Sequence, residues 1–282
     1  MNLTSTYELN NGEKIPVIGF GTWQVADGQV AEDSVLTALQ VGYRHIDTAM
    51  IYGNEVSIGR AIHKSGVSRD ELFVTTKLWN TDHTYERAIK AIDHSLQSLG
   101  LEYLDLYLIH WPNPLEFREN WQEANAQTWQ AMEEAVQAGK IKSIGVSNFM
   151  PHHLDTLYQT AKIKPVVNQI YLNPSDQQKE VVAYNQKHHL ISEAYSPLGR
   201  GDLLQVPELV ELAKNYQKSV SQLILRWSLQ KGFLPLPKSV TPSRILENTQ
   251  LFDFELSKAD MQTIDALEGI AGQSRNPDEM TF

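Results

Sequence analysis

Residues 19–23 read Gly19-Phe20-Gly21-Thr22-Trp23, and this stretch decides between the two folds that the rest of the chain allows. It begins within the first of eight short apolar runs and extends past its end, and the eight runs alternate with amphipathic segments. The eight runs are Val17–Phe20, Tyr43–Thr48, Leu72–Leu78, Tyr103–His110, Ser143–Ser147, Val166–Ile170, Leu190–Tyr195 and Phe233–Leu236. Eight strands alternating with helices fit either a doubly wound sheet or a (β/α)8 barrel. The doubly wound fold favours G-x-G-x-x-G after its first strand, and the third glycine is missing. We therefore predict an α/β fold, a single (β/α)8 TIM barrel domain over residues 1–282.

The segment ahead of the first run is predicted to form a small β-hairpin. Tyr7-Glu8-Leu9 and Lys14-Ile15 flank the dipeptide Asn11-Gly12, which is typical of a type I′ turn between antiparallel strands. We therefore expect an N-terminal β-hairpin before the barrel strands begin.

Composition and charge argue against several classes of protein. The formal net charge is −10 over 282 residues, which disfavours a nucleic-acid partner. There is no cysteine, so the chain has no disulfide, thiolate metal site or catalytic cysteine. No signal-peptide pattern is visible at the N-terminus, and no apolar run approaches the ~20 residues of a spanning helix. We expect a cytoplasmic protein with no nucleic-acid or membrane partner and no bound metal.

Three predicted strands each carry one ionisable side chain near the carboxyl end, where barrel enzymes hold their active sites. These side chains are Asp47, Lys77 and His110, and Tyr52 follows in a short loop. A buried lysine needs a partner, and Asp47 is the natural candidate. A nearby ammonium lowers the pKa of a tyrosine, so the set suits proton transfer to a carbonyl oxygen. A structural ion pair beside a core histidine is the alternative interpretation.

Three separated motifs resemble those of the aldo-keto reductase family. They are Gly42–Ala49 with Tyr52, Asn54-Glu55, Lys77 and His110-Trp111-Pro112; residues 132–149; and Leu236–Thr241 with Arg244, Glu247 and Asn248. The resemblance runs from about Gly19 to the C-terminus, and the short loops are similar to those of bacterial 2,5-diketogluconate reductase-like members. It implies the same barrel fold, NADPH as the cofactor, and reduction of aldehydes or ketones to alcohols.

The resemblance also assigns a role to each of the four polar residues. Tyr52 is expected to be the general acid/base, and Lys77 is expected to lower its pKa. Asp47 is expected to support Lys77, and His110 is expected to orient the substrate carbonyl. Hydride is then expected to pass from the nicotinamide to the carbonyl carbon.

Tryptophan side chains are expected to form the wall of the substrate pocket. Trp23, Trp79 and Trp111 each follow a predicted strand at the same end of the barrel. Rigid aromatic rings at that rim, beside His110, would bind a small-molecule carbonyl substrate. Packing within the core is the alternative for each ring.

Further residues are expected to bind the cofactor. By resemblance, Ser147, Asn148 and Gln169 hydrogen-bond the nicotinamide carboxamide, and Tyr195 stacks on the nicotinamide ring. The remaining expected contacts are Gly21, Thr22, Trp23, Ser196, Leu198, Gly199, Val240, Thr241, Glu247 and Asn248.

Lys238, Ser239 and Arg244 form the strongest phosphate-binding pattern in the chain. They follow the eighth predicted strand, where barrels frequently bind phosphate, and arginine offers a planar fork to phosphate oxygens. The pattern therefore favours NADP(H) over NAD(H), with a solvated basic turn as the alternative.

Two other functions stay open from the sequence. His45, Asp47 and His110 could ligate the metal of a barrel hydrolase, although such sites usually have more histidine or carboxylate ligands. A regulatory protein that binds the cofactor with little turnover is the second alternative. The histidine pairs 152–153 and 188–189 are expected to lie on the surface, and the resemblance alone suggests a monomer.

Overall fold

Strands and helices alternate through most of the computed structural model, which describes residues 1–282. The strands are β1 (Thr6–Glu8), β2 (Lys14–Pro16), β3 (Phe20–Gly21), β4 (His45–Asp47), β5 (Phe73–Leu78), β6 (Leu104–Ile109), β7 (Ile141–Ser147), β8 (Val167–Tyr171), β9 (Ile191–Tyr195) and β10 (Leu234–Leu236). The helices are α1 (Gln29–Gln40), α2 (Glu55–Lys64), α3 (Tyr85–Leu99), α4 (Trp121–Gln137), α5 (Pro151–Tyr158), α6 (Lys179–Lys187), α7 (Pro207–Tyr216), α8 (Val220–Gln230), α9 (Pro242–Glu247) and α10 (Lys258–Asp265). No helix combines the length and the apolar character that crossing a membrane requires.

Strands β3 to β10 form one parallel sheet in chain order. The first and last strands of this sheet meet where the N–H groups of Gly19 and Gly21 donate to the carbonyl oxygens of Pro235 and Pro237, at 3.1 and 3.0 Å. These two bonds draw the sheet into a barrel with the helices outside. The predicted (β/α)8 barrel is confirmed.

The glycines of the opening stretch are needed for close packing at this seam. A Cβ atom on Gly19 would lie 2.5 Å from Leu236 Cδ2 and 2.6 Å from His45 Nδ1, and one on Gly21 would lie 3.2 Å from the Leu236 carbonyl oxygen. A side chain at position 19 would therefore require Leu236 and His45 to move, and one at position 21 would require the Leu236 backbone to shift by a few tenths of an ångström. The G-x-G pattern here follows from closure of the barrel.

The first barrel strand is shorter and later than predicted. The sequence predicts Val17–Phe20, whereas β3 is Phe20–Gly21. Val17 and Ile18 are buried, but the Val17 N–H donates to the Ser5 carbonyl oxygen at 3.1 Å and so continues the hairpin. Residues 17–18 are therefore apolar because they are buried at the base of the barrel, although they do not belong to its first strand.

The N-terminal hairpin is present, but its turn is not of type I′. β1 pairs antiparallel with β2, and the Gly12 N–H donates to the Leu9 carbonyl oxygen at 2.9 Å. Only Gly12 of the turn has a positive φ, of +89°. A type I′ turn needs positive φ at both central residues, so the hairpin prediction is confirmed and the turn prediction is wrong.

The helices pack on the outside of the barrel through one apolar face each, as α3 shows. Ala88, Ile92 and Leu96 are buried on that face, at the spacing of an amphipathic helix. The Thr84 side chain accepts from the Arg87 N–H at the start, and Gly100 ends the helix with φ +64°. This arrangement leaves the carboxyl ends of the strands open to a common cavity.

Candidate active site

A cavity of about 970 Å³ lies at the carboxyl end of the barrel, the end at which barrel enzymes carry out chemistry. The predicted site residues that line it are Gly21, Trp23, Asp47, Tyr52, Trp79, His110, Trp111, Asn148, Gln169, Tyr195, Ser196, Leu198, Lys238, Ser239, Arg244, Glu247 and Asn248. Those that do not line it are Thr22, Lys77, Ser147, Gly199, Val240 and Thr241.

Lys77 lies beneath the cavity floor, with a fully buried side chain. Its Nζ donates to both carboxylate oxygens of Asp47, at 2.8 and 2.9 Å, and to the Thr48 carbonyl oxygen at 2.8 Å. The Tyr52 hydroxyl oxygen lies 3.5 Å from the same nitrogen. Burial opposes the charge, but Asp47 and Tyr52 outweigh it and raise the pKa of Lys77. Lys77 is therefore an ammonium held between a carboxylate and a phenol.

Tyr52 presents a neutral hydroxyl group to the cavity. Burial raises its pKa, and this effect exceeds the lowering by the charge of Lys77. Lys77 therefore acts in the direction that the sequence predicts, although the net shift is upward. The tyrosine holds its proton at neutral pH, and the adjacent ammonium polarises its O–H bond.

His110 is a neutral imidazole beside Tyr52. The two ring centroids are 5.9 Å apart in an edge-to-face arrangement. Burial, together with the charge of Lys77 and His83, holds the pKa of His110 well below its ordinary value. A neutral imidazole carries one N–H donor, so His110 can donate to an oxygen atom bound next to the Tyr52 hydroxyl.

Asn54 fixes the loop that carries Tyr52. This buried side chain accepts from Thr48 Oγ1 at 3.1 Å and donates to the Thr22 carbonyl oxygen at 3.1 Å. Thr22 Oγ1 in turn donates to the Asp47 carbonyl oxygen at 2.9 Å. Thr22, a predicted cofactor contact, thus connects two barrel strands below the cavity.

The side-chain amide of Gln169 is the second hydrogen-bond partner of the Asp47 carboxylate, after Lys77. Its Nε2 donates to Asp47 Oδ2 and to Glu193 Oε2, both at 2.9 Å. Next to it, Ser147 Oγ donates to the Gln169 carbonyl oxygen at 2.8 Å, and the Tyr195 hydroxyl donates to Asn148 Oδ1 at 2.8 Å. Four predicted residues therefore form one polar wall. Sequence reasoning missed Glu193, although a charged residue two positions before Tyr195 in an apolar strand was a detectable signal.

The far end of the cavity is cationic. Lys238 and Arg244 line it, are exposed and form no ion pair. Arg200, a further exposed cation of the cavity, was not predicted, and its guanidinium carbon lies 5.3 Å from the centre of the Trp23 ring and 5.8 Å from that of the Tyr171 ring. Glu247, a predicted contact, accepts from the Ser219 hydroxyl and so joins α9 to the start of α8.

The near end of the cavity is aromatic and includes the last residue of the chain. The Phe282 ring stacks on the Trp79 ring, with the two centroids 5.8 Å apart. It also packs edge-to-face against the Trp111 ring, at a centroid distance of 5.7 Å. The Trp79 ring in turn packs edge-to-face against His110, with the two ring centroids 5.2 Å apart. No pattern in the sequence indicated that residue 282 would lie next to these tryptophans, because only the tertiary fold brings the tail there.

Of the three residues weighed as metal ligands, Asp47 and His110 line the cavity, but His45 does not. His45 is fully buried and bonds to Thr75 Oγ1 at 3.0 Å through its Nε2. Asp47 is occupied by Lys77 and Gln169. This geometry does not support a hydrolytic metal centre formed by His45, Asp47 and His110.

His152, His153 and Asp278 do cluster, but the hydrogen bonds of His153 disfavour a metal ion. His152 is exposed as predicted, whereas His153 is fully buried, so the prediction that both lie on the surface is wrong for His153. Its Nδ1 accepts from the Met150 N–H at 3.1 Å, so its Nε2 carries the proton and donates to Asp278 Oδ1 at 2.9 Å. No lone pair of His153 is left for a metal ion, and the cluster fastens the tail to the barrel instead.

The comparisons with known proteins agree on one family. The model of the aldo/keto reductase family matches residues 17–268. The glyoxal reductase of Bacillus subtilis is 46% identical over 281 residues, which span 100% of this chain and 99% of that protein. An aldo/keto reductase crystal structure from Brucella melitensis has a TM-score of 0.90 at 46% identity, with 95% of this chain and 99% of that chain covered. A Bombyx mori aldo-keto reductase in complex with NADP has a TM-score of 0.86 at 38% identity, with 94% and 93% covered.

Proposed function

Because this chain belongs to the aldo/keto reductase family, we propose that it reduces aldehydes or ketones to alcohols with NADPH in the cavity described above. The family assignment made from the three sequence motifs is confirmed. The observation that carries the proposal is the buried Lys77 ammonium, bonded to Asp47 and 3.5 Å from the Tyr52 hydroxyl oxygen at the cavity floor.

Each residue of this set has one task in the proposed reaction. NADPH, when bound, supplies the hydride for the carbonyl carbon. Tyr52 donates its proton to the carbonyl oxygen, and Lys77 stabilises the negative charge that remains on the phenol oxygen. Asp47 keeps Lys77 charged and in place, and His110 donates an N–H to the same carbonyl oxygen.

The residues along the cavity fit a phosphorylated dinucleotide. The cationic end offers Lys238 and Arg244, which form no ion pair with a carboxylate, and Arg200 adds a third cation beside the Trp23 ring. At the other end, both N–H groups of the Gln169 amide are directed at carboxyl groups, which leaves its oxygen for an amide donor such as the nicotinamide carboxamide. Arg244 and Lys238 would hold the 2′-phosphate, and Tyr195 would stack on the nicotinamide ring.

The substrate is proposed to be a small carbonyl compound that fits between the aromatic rings. Trp79, Trp111 and Phe282 surround the approach to His110, and such a wall favours compact apolar or planar groups. The relative at 46% identity is named for glyoxal, so small dicarbonyl aldehydes belong at the head of a substrate panel.

The organisation of the protein remains a set of predictions. We propose that residues 1–282 act as one barrel domain and that the protein works as a monomer. A chain without cysteine is compatible with the reducing cytoplasm, which we propose as its location.

The test is a panel of aldehydes and ketones incubated with NADPH, ranked by kcat/KM from the loss of NADPH absorbance. We expect turnover of at least one small aldehyde, insensitivity to a chelator, and a preference for NADPH over NADH. Tight NADPH binding without turnover of any compound would favour the regulatory alternative. Hydrolysis of an ester or amide substrate that a chelator abolishes, with no oxidation of NADPH by any compound of the panel, would favour the hydrolase alternative.

A further inference from the structure

Glu193 is a carboxyl group that the proposed reaction does not use, deep inside the barrel. On β9 it pairs in register with Gln169 on β8, so the two side chains lie next to each other on the inner face. Glu193 is fully buried. One of its oxygens, Oε2, accepts from Gln169 Nε2 at 2.9 Å, whereas Oε1 has no hydrogen-bond partner.

No cation is bonded to Glu193. The charge of Lys77 on β5 acts to lower the pKa of Glu193, but this ammonium is already paired with Asp47 on β4 and does not outweigh burial. His45 Nε2 lies 3.8 Å from Glu193 Oε1, but burial and the charge of Lys77 lower the pKa of His45 to about 3, so this ring is neutral. On β10, the residue in register with Glu193 is the apolar Leu234. An ionised Glu193 would therefore be a second buried anion beside Asp47, which is costly.

These surroundings place the titration of Glu193 near neutral pH. Burial, followed by the charge of Asp47, raises its pKa to about 8. Glu193 is consequently a neutral acid at pH 7 and becomes a carboxylate as the pH rises through about 8. Gln169 separates it from the cavity, since the same amide bonds to Glu193 and lines the cavity wall.

We propose that Glu193 is a positioning residue that holds the Gln169 amide from below and, through its ionisation, sets the relative affinity of the site for oxidised and reduced NADP. The inference rests on the proposed function, because it takes the nicotinamide to lie against Gln169. The oxidised nicotinamide ring is a cation and the reduced ring is neutral. A carboxylate one amide group away therefore favours the oxidised form, and the neutral acid does not.

Thermodynamic linkage gives the sign of the effect. A group that binds its proton less tightly when the oxidised cofactor is present must release protons as that cofactor binds. Binding of NADP⁺ at pH 8 is expected to release protons from Glu193, and binding of NADPH is not. The ratio of the two dissociation constants, Kd(NADPH)/Kd(NADP⁺), rises as the pH increases through about 8.

The test compares the wild type with Glu193→Gln, whose amide has the size of the neutral acid and cannot ionise. Both dissociation constants are measured by fluorescence titration at pH 6.5 and pH 9. We expect the Kd ratio of the wild type to rise about fivefold between these pH values and that of Glu193→Gln to stay constant. Glu133→Gln is the matched control, because Glu133 is also buried but bonds to the N–H groups of Lys162 and Ile163, away from the cavity. It should behave like the wild type.

A Kd ratio that is constant with pH in the wild type, or that changes equally in Glu193→Gln, overturns the inference. Calorimetry of the wild type in buffers of different ionisation enthalpy gives a second measurement that needs no variant. Proton release with NADP⁺ and not with NADPH supports the proposal, and equal proton release contradicts it. Failure of the wild type to bind either form would contradict the proposed function instead.

Discussion

The floor and the mouth of the cavity are built in different ways. The floor is formed by Asp47 and Gln169, with Lys77 beneath them. These three side chains are buried, come from three strands, and are joined by the hydrogen bonds of Lys77 and Gln169 to Asp47. The mouth includes Trp23 and Phe282, which are 41% and 38% exposed and lie on a loop and the chain end. Sheet register fixes the floor, whereas a few contacts of irregular segments fix the mouth.

The tail that forms part of the mouth is held by hydrogen bonds at several residues, among them Asp278, Met280 and Phe282. The Asp278 carboxylate accepts from Asn113 Nδ2 at 2.8 Å and from His153 Nε2 at 2.9 Å. Four residues later, the Phe282 carbonyl oxygen accepts from Asn80 Nδ2 at 3.2 Å. We therefore expect the chemistry to depend on the rigid floor and the choice of substrate to depend on the mouth, where substitutions should disturb the fold less.

Changes to the floor should have the largest effect, and Lys77→Met is the most severe. It removes the ammonium beside Tyr52 and leaves the Asp47 carboxylate buried without its cation. We expect kcat to fall at least about 100-fold and the free energy of unfolding to fall by about 3–5 kcal/mol. NADPH oxidation and urea denaturation measure the two effects. Lys90→Met, on the exposed face of α3, should change neither, and a fully active Lys77→Met variant would refute the role of the floor.

A change at the cationic end should have an intermediate effect, limited to NADPH, the cofactor that carries a 2′-phosphate. Arg244→Ala is expected to raise the Kd for NADPH about tenfold, because it removes charge-assisted hydrogen bonds, and to leave the Kd for NADH unchanged. Fluorescence titration with both cofactors measures this. Arg87→Ala, which removes an exposed ion pair with Glu116 outside the cavity, is the control. Equal weakening of NADPH and NADH would argue against a 2′-phosphate site.

A change at the mouth should have the smallest effect and should depend on the substrate. Phe282→Ala removes the ring that stacks on Trp79. We expect KM for an aromatic aldehyde to rise about threefold to tenfold, with little change for glyoxal and in the melting temperature. The exposed Ile270→Ala provides a control on the same C-terminal segment. A large loss of kcat for every substrate would contradict this prediction, because it would show that the tail takes part in the chemical step.

The same division explains how much could be predicted from the sequence. The barrel and the set of Asp47, Tyr52, Lys77 and His110 follow from apolar runs that end in polar residues, which is local information. The position of Phe282 could not be predicted in this way, because it results from the path of the tail across the barrel. The burial of His153 could not be predicted either, because it depends on the packing of Trp121, Phe149 and Asp278 around the ring.

Burial accounts for a second difference between prediction and structure. The sequence predicts that Lys77 lies near Tyr52, and charge alone tells us that an ammonium lowers the pKa of a tyrosine. The net shift depends on how completely the fold removes Tyr52 from water, and here burial dominates and raises the pKa. Such desolvation is a property of the packed molecule and cannot be read from spacing.

The most direct test of the central claim is Tyr52→Phe, which removes one hydroxyl oxygen and keeps the ring. The measurement pairs the Kd for NADPH with single-turnover oxidation of NADPH by the best aldehyde of the panel. The account predicts a Kd within about twofold of the wild type and a turnover rate at least about 100-fold lower, because the proton donor is gone while the cofactor contacts remain. A Tyr52→Phe variant that turns over at the wild-type rate would contradict the account.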